Sequence, residues 1–220
     1  MQKFLKSFLF LTSFYLTSCS PRIAESLKPA GDSYHQDQVT LFTNDTSESM
    51  VYKTNMEYRG QPFSSLIYLK KSGDSTFSMV LMTTFGNTML EGTFSKDKFV
   101  FKNVVSYLNR APLLSLLEHD WRLLLRGNLF NELPQIYSAD SLQTVYRFTE
   151  GKSNSSLYYY SQGKESVEMI ESYSGKTKKA ILNIDRMKPK NPEAITIEHP
   201  GMGLKIEMIR LKTPTDDSVE

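Results

Sequence analysis

Short runs in which apolar residues alternate with polar ones fill most of this chain, and one helical stretch interrupts them near the middle. That order constrains the fold more than any other feature of the sequence. Met50, Tyr52, Thr54, Met56 and Tyr58 share one parity. Phe63, Ile67 and Leu69 follow Gly60, and Lys71-Ser72-Gly73-Asp74 marks a turn. Phe77, Met79 and Leu81 come next, then Leu90 and Phe94 beyond Gly86-Asn87, then Phe99 and Phe101. These residues predict five strands joined by hairpin-sized loops. Six more runs are predicted over 142–148, 157–160, 166–172, 180–184, 194–199 and 204–211, with glycine and proline between them. Residues 110–127 (RAPLLSLLEHDWRLLLRG) differ. Leu113, Leu116, Leu117, Trp121, Leu124 and Leu125 recur there at helical spacing, Pro112 suits a first turn, and Gly127 suits a C-terminal cap. Glu118, His119, Asp120, Arg122 and Arg126 read as the solvated side of that helix. An antiparallel meander of eleven strands must curl on itself to manage its edges.

The 220 residues are 40% hydrophobic and 23% charged, an ordinary balance for one globular domain. The chain holds one cysteine, which excludes an intrachain disulfide framework and a Cys-rich zinc site. That cysteine lies in the N-terminal MQKFLKSFLFLTSFYLTSCS. Lys3 and Lys6 precede a short apolar stretch over 8–16, too brief for the roughly 20 residues of a membrane-spanning helix. It reads as a secretory signal. Leu16-Thr17-Ser18-Cys19 resembles a bacterial lipobox, which implies that Cys19 becomes the first residue of the mature chain and carries the lipid. Two or more acyl chains anchor stably, at about 0.8 kcal/mol per buried CH2. Ser20 follows the cysteine, and by resemblance to sorting rules this implies the outer membrane, while the lack of an acidic run after Cys19 favours a domain facing the periplasm.

Catalytic motifs are missing. Gly151-Lys152-Ser153 looks like the end of a phosphate-binding loop, but Tyr146 stands where that loop needs its first glycine. There is no G-x-S-x-G elbow, H-E-x-x-H, G-x-G-x-x-G or EF-hand loop. His35, His119 and His199 are not at metal spacing. A solvated helix face accounts for His119-Asp120, since adjacent helical residues point about 100° apart. Glu165, Glu168 and Glu171 do not share a strand face. Lys176, Lys178 and Lys179 fit a hairpin guarding a sheet edge better than a nucleic-acid site. No cofactor, metal or nucleic acid is expected.

The positive signal is distributed. Thirteen Phe, twelve Tyr and ten Met load a chain of this size with adaptable apolar side chains, which suit either an ordinary core or a surface that accepts flexible ligands. Two stretches favour the second. Met82-Thr83-Thr84-Phe85-Gly86-Asn87-Thr88-Met89-Leu90-Glu91-Gly92 resembles the hairpin of LolB-like lipoproteins, and Leu123-Leu124-Leu125-Arg126-Gly127-Asn128 resembles their Leu-rich helix end. The resemblance to the LolA/LolB lipoprotein-carrier family covers roughly residues 50–212. It implies a mainly β (α+β) fold, a strongly curved antiparallel half-barrel of about eleven strands with a helical lid.

In that family the concave face holds acyl chains. Carried over by strand parity, the implied lining is Phe77, Met79, Leu81, Leu90, Phe94, Phe99 and Phe101 from the first half. Tyr146, Phe148, Leu182, Ile184, Ile195, Ile197, Ile206 and Met208 follow from the second. The helix over 113–126 is the implied lid, with Leu117, Trp121 and Leu124 facing inward. The chain departs from the LolB receptor in one respect. That receptor presents an exposed Leu on an early loop, and here Lys70-Lys71-Ser72-Gly73-Asp74-Ser75 has no apolar residue.

The expected organisation is a signal peptide over 1–18, an acylated tether over 19–38, a half-barrel over 39–212 and a loose tail over 213–220. Lys3 and Lys6 leave with the signal, so the mature chain keeps 24 basic and 24 acidic side chains and has no electrostatic call for an anionic partner. The reading is a non-enzymatic, membrane-anchored lipoprotein that binds lipid or a lipoprotein's acyl chains. The alternative is a structural or assembly lipoprotein whose packed sheet binds a periplasmic or outer-membrane protein.

Overall fold

The route between two sheet edges organises this molecule. The computed structural model describes residues 27–31, 34–58, 60–139, 143–150, 155–162, 167–186 and 191–212. Five strands precede the helices: β2 (Ser49–Tyr58), β3 (Gln61–Gly73), β4 (Thr76–Met82), β5 (Thr88–Ser95) and β6 (Phe99–Lys102). Helices α1 (Ala111–Leu124) and α2 (Arg126–Leu129) follow. Seven strands complete the chain, namely β7 (Gln135–Ser138), β8 (Gln143–Glu150), β9 (Ser155–Gln162), β10 (Val167–Ser174), β11 (Thr177–Asp185), β12 (Ala194–His199) and β13 (Leu204–Leu211), while β1 (Lys28–Pro29) lies near the N-terminus. All join one antiparallel sheet in the order β1-β7-β8-β9-β10-β11-β12-β13-β2-β3-β4-β5-β6. The second half of the meander therefore precedes the first, and the two meet where β13 pairs with β2, Ile206 opposite Met56.

The sheet is curved and unclosed, with β1 and β6 at its ends. Going from β6 to β7 means crossing the sheet's full width, and the connection that does so contains α1 and α2. One apolar cluster unites the inner side of the sheet with Trp121, Leu123, Leu124 and Leu125. This is the mainly β, lidded half-barrel that the family resemblance implies, with thirteen strands instead of the eleven read from the strand runs. The two extra strands are short. Gln135–Ser138 shows no alternation, and Lys28–Pro29 contains a proline that a ladder tolerates only at an edge.

Local chemistry explains two departures from expectation. Gly127 does not cap α1, which ends at Leu124. It lies inside α2, where an added Cβ would fall 2.2 Å from the Val39 carbonyl oxygen. The strap over 39–43 runs along α2 with all five residues buried. Thr40 Oγ1 and Gln36 Nε2 both donate to the Gly127 carbonyl, at 3.0 and 2.9 Å. Asn128 pairs with both backbone groups of Phe42, at 2.9 and 3.3 Å. Nor does the Lys176–Lys179 hairpin guard an edge, because β10 and β11 are interior strands. Lys178 instead pairs with Glu171 at 2.5 Å, and Glu171 also accepts from the hydroxyls of Tyr160 and Tyr173. The signal sequence, Cys19 and the tail lie outside the described residues. Among the described residues, no helix is long and apolar enough to cross a membrane.

Candidate functional site

Strand parity builds the inner wall. Phe77, Met79 and Leu81 of β4 turn inward, as do Leu90 and Phe94 of β5. Across the trough Tyr146, Phe148, Leu182, Ile184, Ile195, Ile197, Ile206 and Met208 are buried in the same cluster, with Phe99 and Phe101 half-buried against it. Helix α1 lies over this wall. Trp121 and Leu124 are buried and Leu117 packs beside them.

Different forces hold the two flanks of α1. Toward β5 and β6 the contact is aromatic. Trp121 stacks on Phe94 with ring centroids 5.5 Å apart, and the Arg122 guanidinium sits 4.2 Å above the Phe99 ring. Toward β9, β10 and β12 the ties are polar. Tyr159 donates its hydroxyl to the Leu123 carbonyl at 2.8 Å. His119 Nε2 lies 3.0 Å from Ser172 Oγ. Asp120 Oδ2 lies 3.1 Å from His199 Nε2, and both residues are only 2% exposed. Asp120 therefore does not belong to a solvated helix face. Arg126 does not either, being buried with an ion pair to Glu132 and its guanidinium 4.7 Å from the Phe148 ring centre.

Between α1 and the wall a void of about 30 Å3 remains. Met79, Leu81, Leu90, Ile197, Ile206 and Met208 border it, under Leu117, Trp121 and Leu124 of the lid. Phe77, Phe94, Phe99, Phe101, Tyr146, Phe148, Leu182, Ile184 and Ile195 do not. Thr54, Met56, Ile67 and Asp120 do border it, although none was in the implied lining. The shared parity over 50–58 marks Thr54 and Met56 as inward, and that was the available signal. Ligand pockets run to roughly 300–1,000 Å3, so the trough is closed to an acyl chain while α1 is seated. A larger cleft of about 500 Å3 lies away from α1, between Glu168, Asp185 and Arg186, and its charged walls suit no hydrocarbon.

Several solved structures are similar to this chain at low identity. A LolA superfamily protein from Nitrosomonas europaea is 10% identical with a TM-score of 0.49, over 84% of this chain and 94% of its own. A DUF1329 family protein from Desulfovibrio piger is 12% identical with a TM-score of 0.43, over 76% of this chain and 85% of its own. A Vibrio parahaemolyticus domain provisionally assigned to outer-membrane lipoprotein sorting is 7% identical with a TM-score of 0.40, over 74% and 83%. No protein-family model matches the sequence, and no curated protein matches it either.

The Asp120–His199 pair is the most unusual group in the trough. Burial pushes the Asp120 carboxyl up, against the pull of the neighbouring imidazole. Burial also works against a charged His199, but the Asp120 carboxylate and the Lys179 carbonyl outweigh it, and the imidazole ends above its ordinary value. Geometry gives the same direction. His199 Nδ1 faces the Lys179 carbonyl at 3.2 Å and Nε2 faces a carboxylate, so each ring nitrogen meets an acceptor. The pair keeps its proton to a higher pH than a free histidine does.

One rim of the half-barrel is apolar. Strands β2, β4, β6 and β12 run in the same direction, so the segments after them share a rim with the loop that enters β7. Tyr58, Phe85, Tyr107, Leu133 and Met202 are exposed there, Phe85 by 92%. Gly86, at φ +85°, makes the tight turn that leaves Phe85 at the tip. The turn over 70–75, between β3 and β4, lies on the opposite rim.

Proposed function

We propose that the chain is an envelope lipoprotein, anchored through Cys19, whose half-barrel takes lipid or a lipoprotein's acyl chains beneath α1 by hydrophobic capture without catalysis. The observation that carries this reading is α1 itself. It is an apolar-faced helix laid over an open curved sheet, joined to β6 by an irregular stretch and held on one flank by a few polar ties. Displacing it uncovers a continuous aliphatic and aromatic wall. Burial of acyl CH2 groups against that wall, at about 0.8 kcal/mol each, offsets the loss of the helix's own contacts. Phe85 and its neighbours make that rim the approach for an acyl-bearing surface. The domain limits proposed are 1–18, 19–38, 39–212 and 213–220.

A second reading has its own observation. The void beneath α1 is only about 30 Å3, which favours a packed scaffold whose apolar rim binds a protein partner. Native mass spectrometry of protein prepared without detergent separates the two. The carrier reading expects co-purifying lipid that is lost on transfer to liposomes, whereas a bare polypeptide mass supports the scaffold. Anchoring has a separate test. Cys19→Ala is expected to leave folding intact and move the protein from the membrane to the soluble fraction, and persistent attachment would refute the lipid anchor.

A further inference from the structure

Three side-chain oxygens on the inner side of the fold have no hydrogen-bond partner among the described residues: Thr54 Oγ1, Ser65 Oγ and Asp120 Oδ1. Thr54 and Ser65 are 0% exposed and Asp120 is 2% exposed. Thr54 and Ser65 are direct cross-strand partners on β2 and β3, so they share the inner face. Thr54 and Asp120 border the same void from opposite sides, one on the sheet and one on the lid. Everything else bordering it is Met, Ile, Leu or Trp. A buried polar atom left unpaired lowers stability, and valine at 54 or alanine at 65 would remove that cost with little change of shape. Polarity kept at such a place is explained by a polar group that arrives from outside.

We propose that this oxygen cluster receives the polar group of an amphiphile, and that the ligand class is an acyl chain bearing a hydroxyl or amide N–H rather than plain hydrocarbon. The inference rests on the carrier reading and names its ligand. The chemistry follows from the acceptors present. Asp120 gives Oδ2 to His199, so Oδ1 is left as an acceptor. The Thr54 and Ser65 hydroxyls both donate and accept. A ligand hydroxyl or secondary amide donates to Asp120 while accepting from Thr54, with Ser65 beside Thr54 on the next strand. An ester can only accept, and a methylene does neither. The void of about 30 Å3 takes a group of that size between Thr54 and Asp120, with α1 shifted to admit the attached chain yet still facing the sheet.

The test compares 3-hydroxytetradecanoic acid with tetradecanoic acid, measuring binding to the whole protein and to a Thr54→Val/Ser65→Ala variant. Wild type is expected to bind the hydroxy acid about tenfold more tightly. The variant should lose most of that preference, keeping only what Asp120 supplies, while still binding tetradecanoic acid. Its thermal midpoint should not fall, which separates a lost recognition group from a lost fold. Equal binding of the two acids by wild type overturns the proposal and leaves the void to an interior water alone. A preference undiminished in the variant overturns it as well, since the Thr54 and Ser65 hydroxyls then take no part in recognition. If neither acid binds wild type, the carrier reading itself fails, a result distinct from equal binding.

Discussion

His199→Ala is expected to destabilise the protein by roughly 3–5 kcal/mol in urea unfolding, because it strands a buried carboxylate on the underside of α1. Asp120 is 2% exposed, and its Oδ2 pairs with His199 Nε2 at 3.1 Å. The reverse substitution, Asp120→Ala, should cost less. It leaves a histidine that can shed its proton and still donate Nδ1–H to the Lys179 carbonyl. The double substitution should cost less than the two singles together, which is the signature of direct coupling. The pair also sets a pH dependence. His199 is raised above its ordinary 6.5, so its contribution is fully present below about pH 6.5 and is lost as pH rises through the higher folded-state value. Asp120, also raised, has the same sign in the acid range above 3.8. Wild type should therefore lose stability as pH rises above about 6.5, with a slope that His199→Ala flattens. A slope unchanged in the variant would remove the pair from the stability account.

Gly127→Ala should be at least as damaging, at about 3 kcal/mol or more. Alanine is the better helix former by about 1 kcal/mol, so propensity alone points the other way. Packing decides the sign. The new Cβ would sit 2.2 Å from the Val39 oxygen, 2.4 Å from its carbonyl carbon and 2.6 Å from the Thr40 nitrogen. All three are backbone atoms with no rotamer to change. Relief requires α2 to leave the strap, which breaks the bonds from Gln36 and Thr40 and the reciprocal pair between Asn128 and Phe42. Gly201→Ala is the control, since nothing lies within 4 Å of its added Cβ and the change should stay within about 0.5 kcal/mol. Similar unfolding midpoints for the two variants would mean that α2 is not tightly docked.

These positions also mark where the sequence stopped being legible. Eleven strands could be read because their alternation is the direct consequence of one buried and one wetter face. The inner side of the wall came with them, since parity alone turns Met79, Leu81 and Ile197 the same way. The strap over 39–43 could not be read as such, because it is buried throughout and shows no alternation. Gly127 follows a Leu-rich run just where a helix cap would stand, and its true neighbour, Val39, is remote in sequence. Asp120 sits among Glu118, His119 and Arg122 and looks like one more surface charge. Only the fold brings His199 to it, across 79 residues. Long-range polar pairing leaves no periodic trace in a single chain, whereas apolar burial does.

The central claim is that an acyl chain enters beneath α1, and the protein carries its own reporter there. Trp121 is the sole tryptophan, it is 4% exposed, and it stacks on Phe94 over the void. A dibrominated octadecanoic acid quenches an indole that its chain touches. Titrated into the whole protein below the fatty acid's aggregation threshold, it should quench Trp121 saturably, with one binding isotherm and competition by unbrominated octadecanoic acid. Trp121 emission that stays unquenched across the titration, in a protein that remains folded, would contradict the account and leave the half-barrel a packed scaffold.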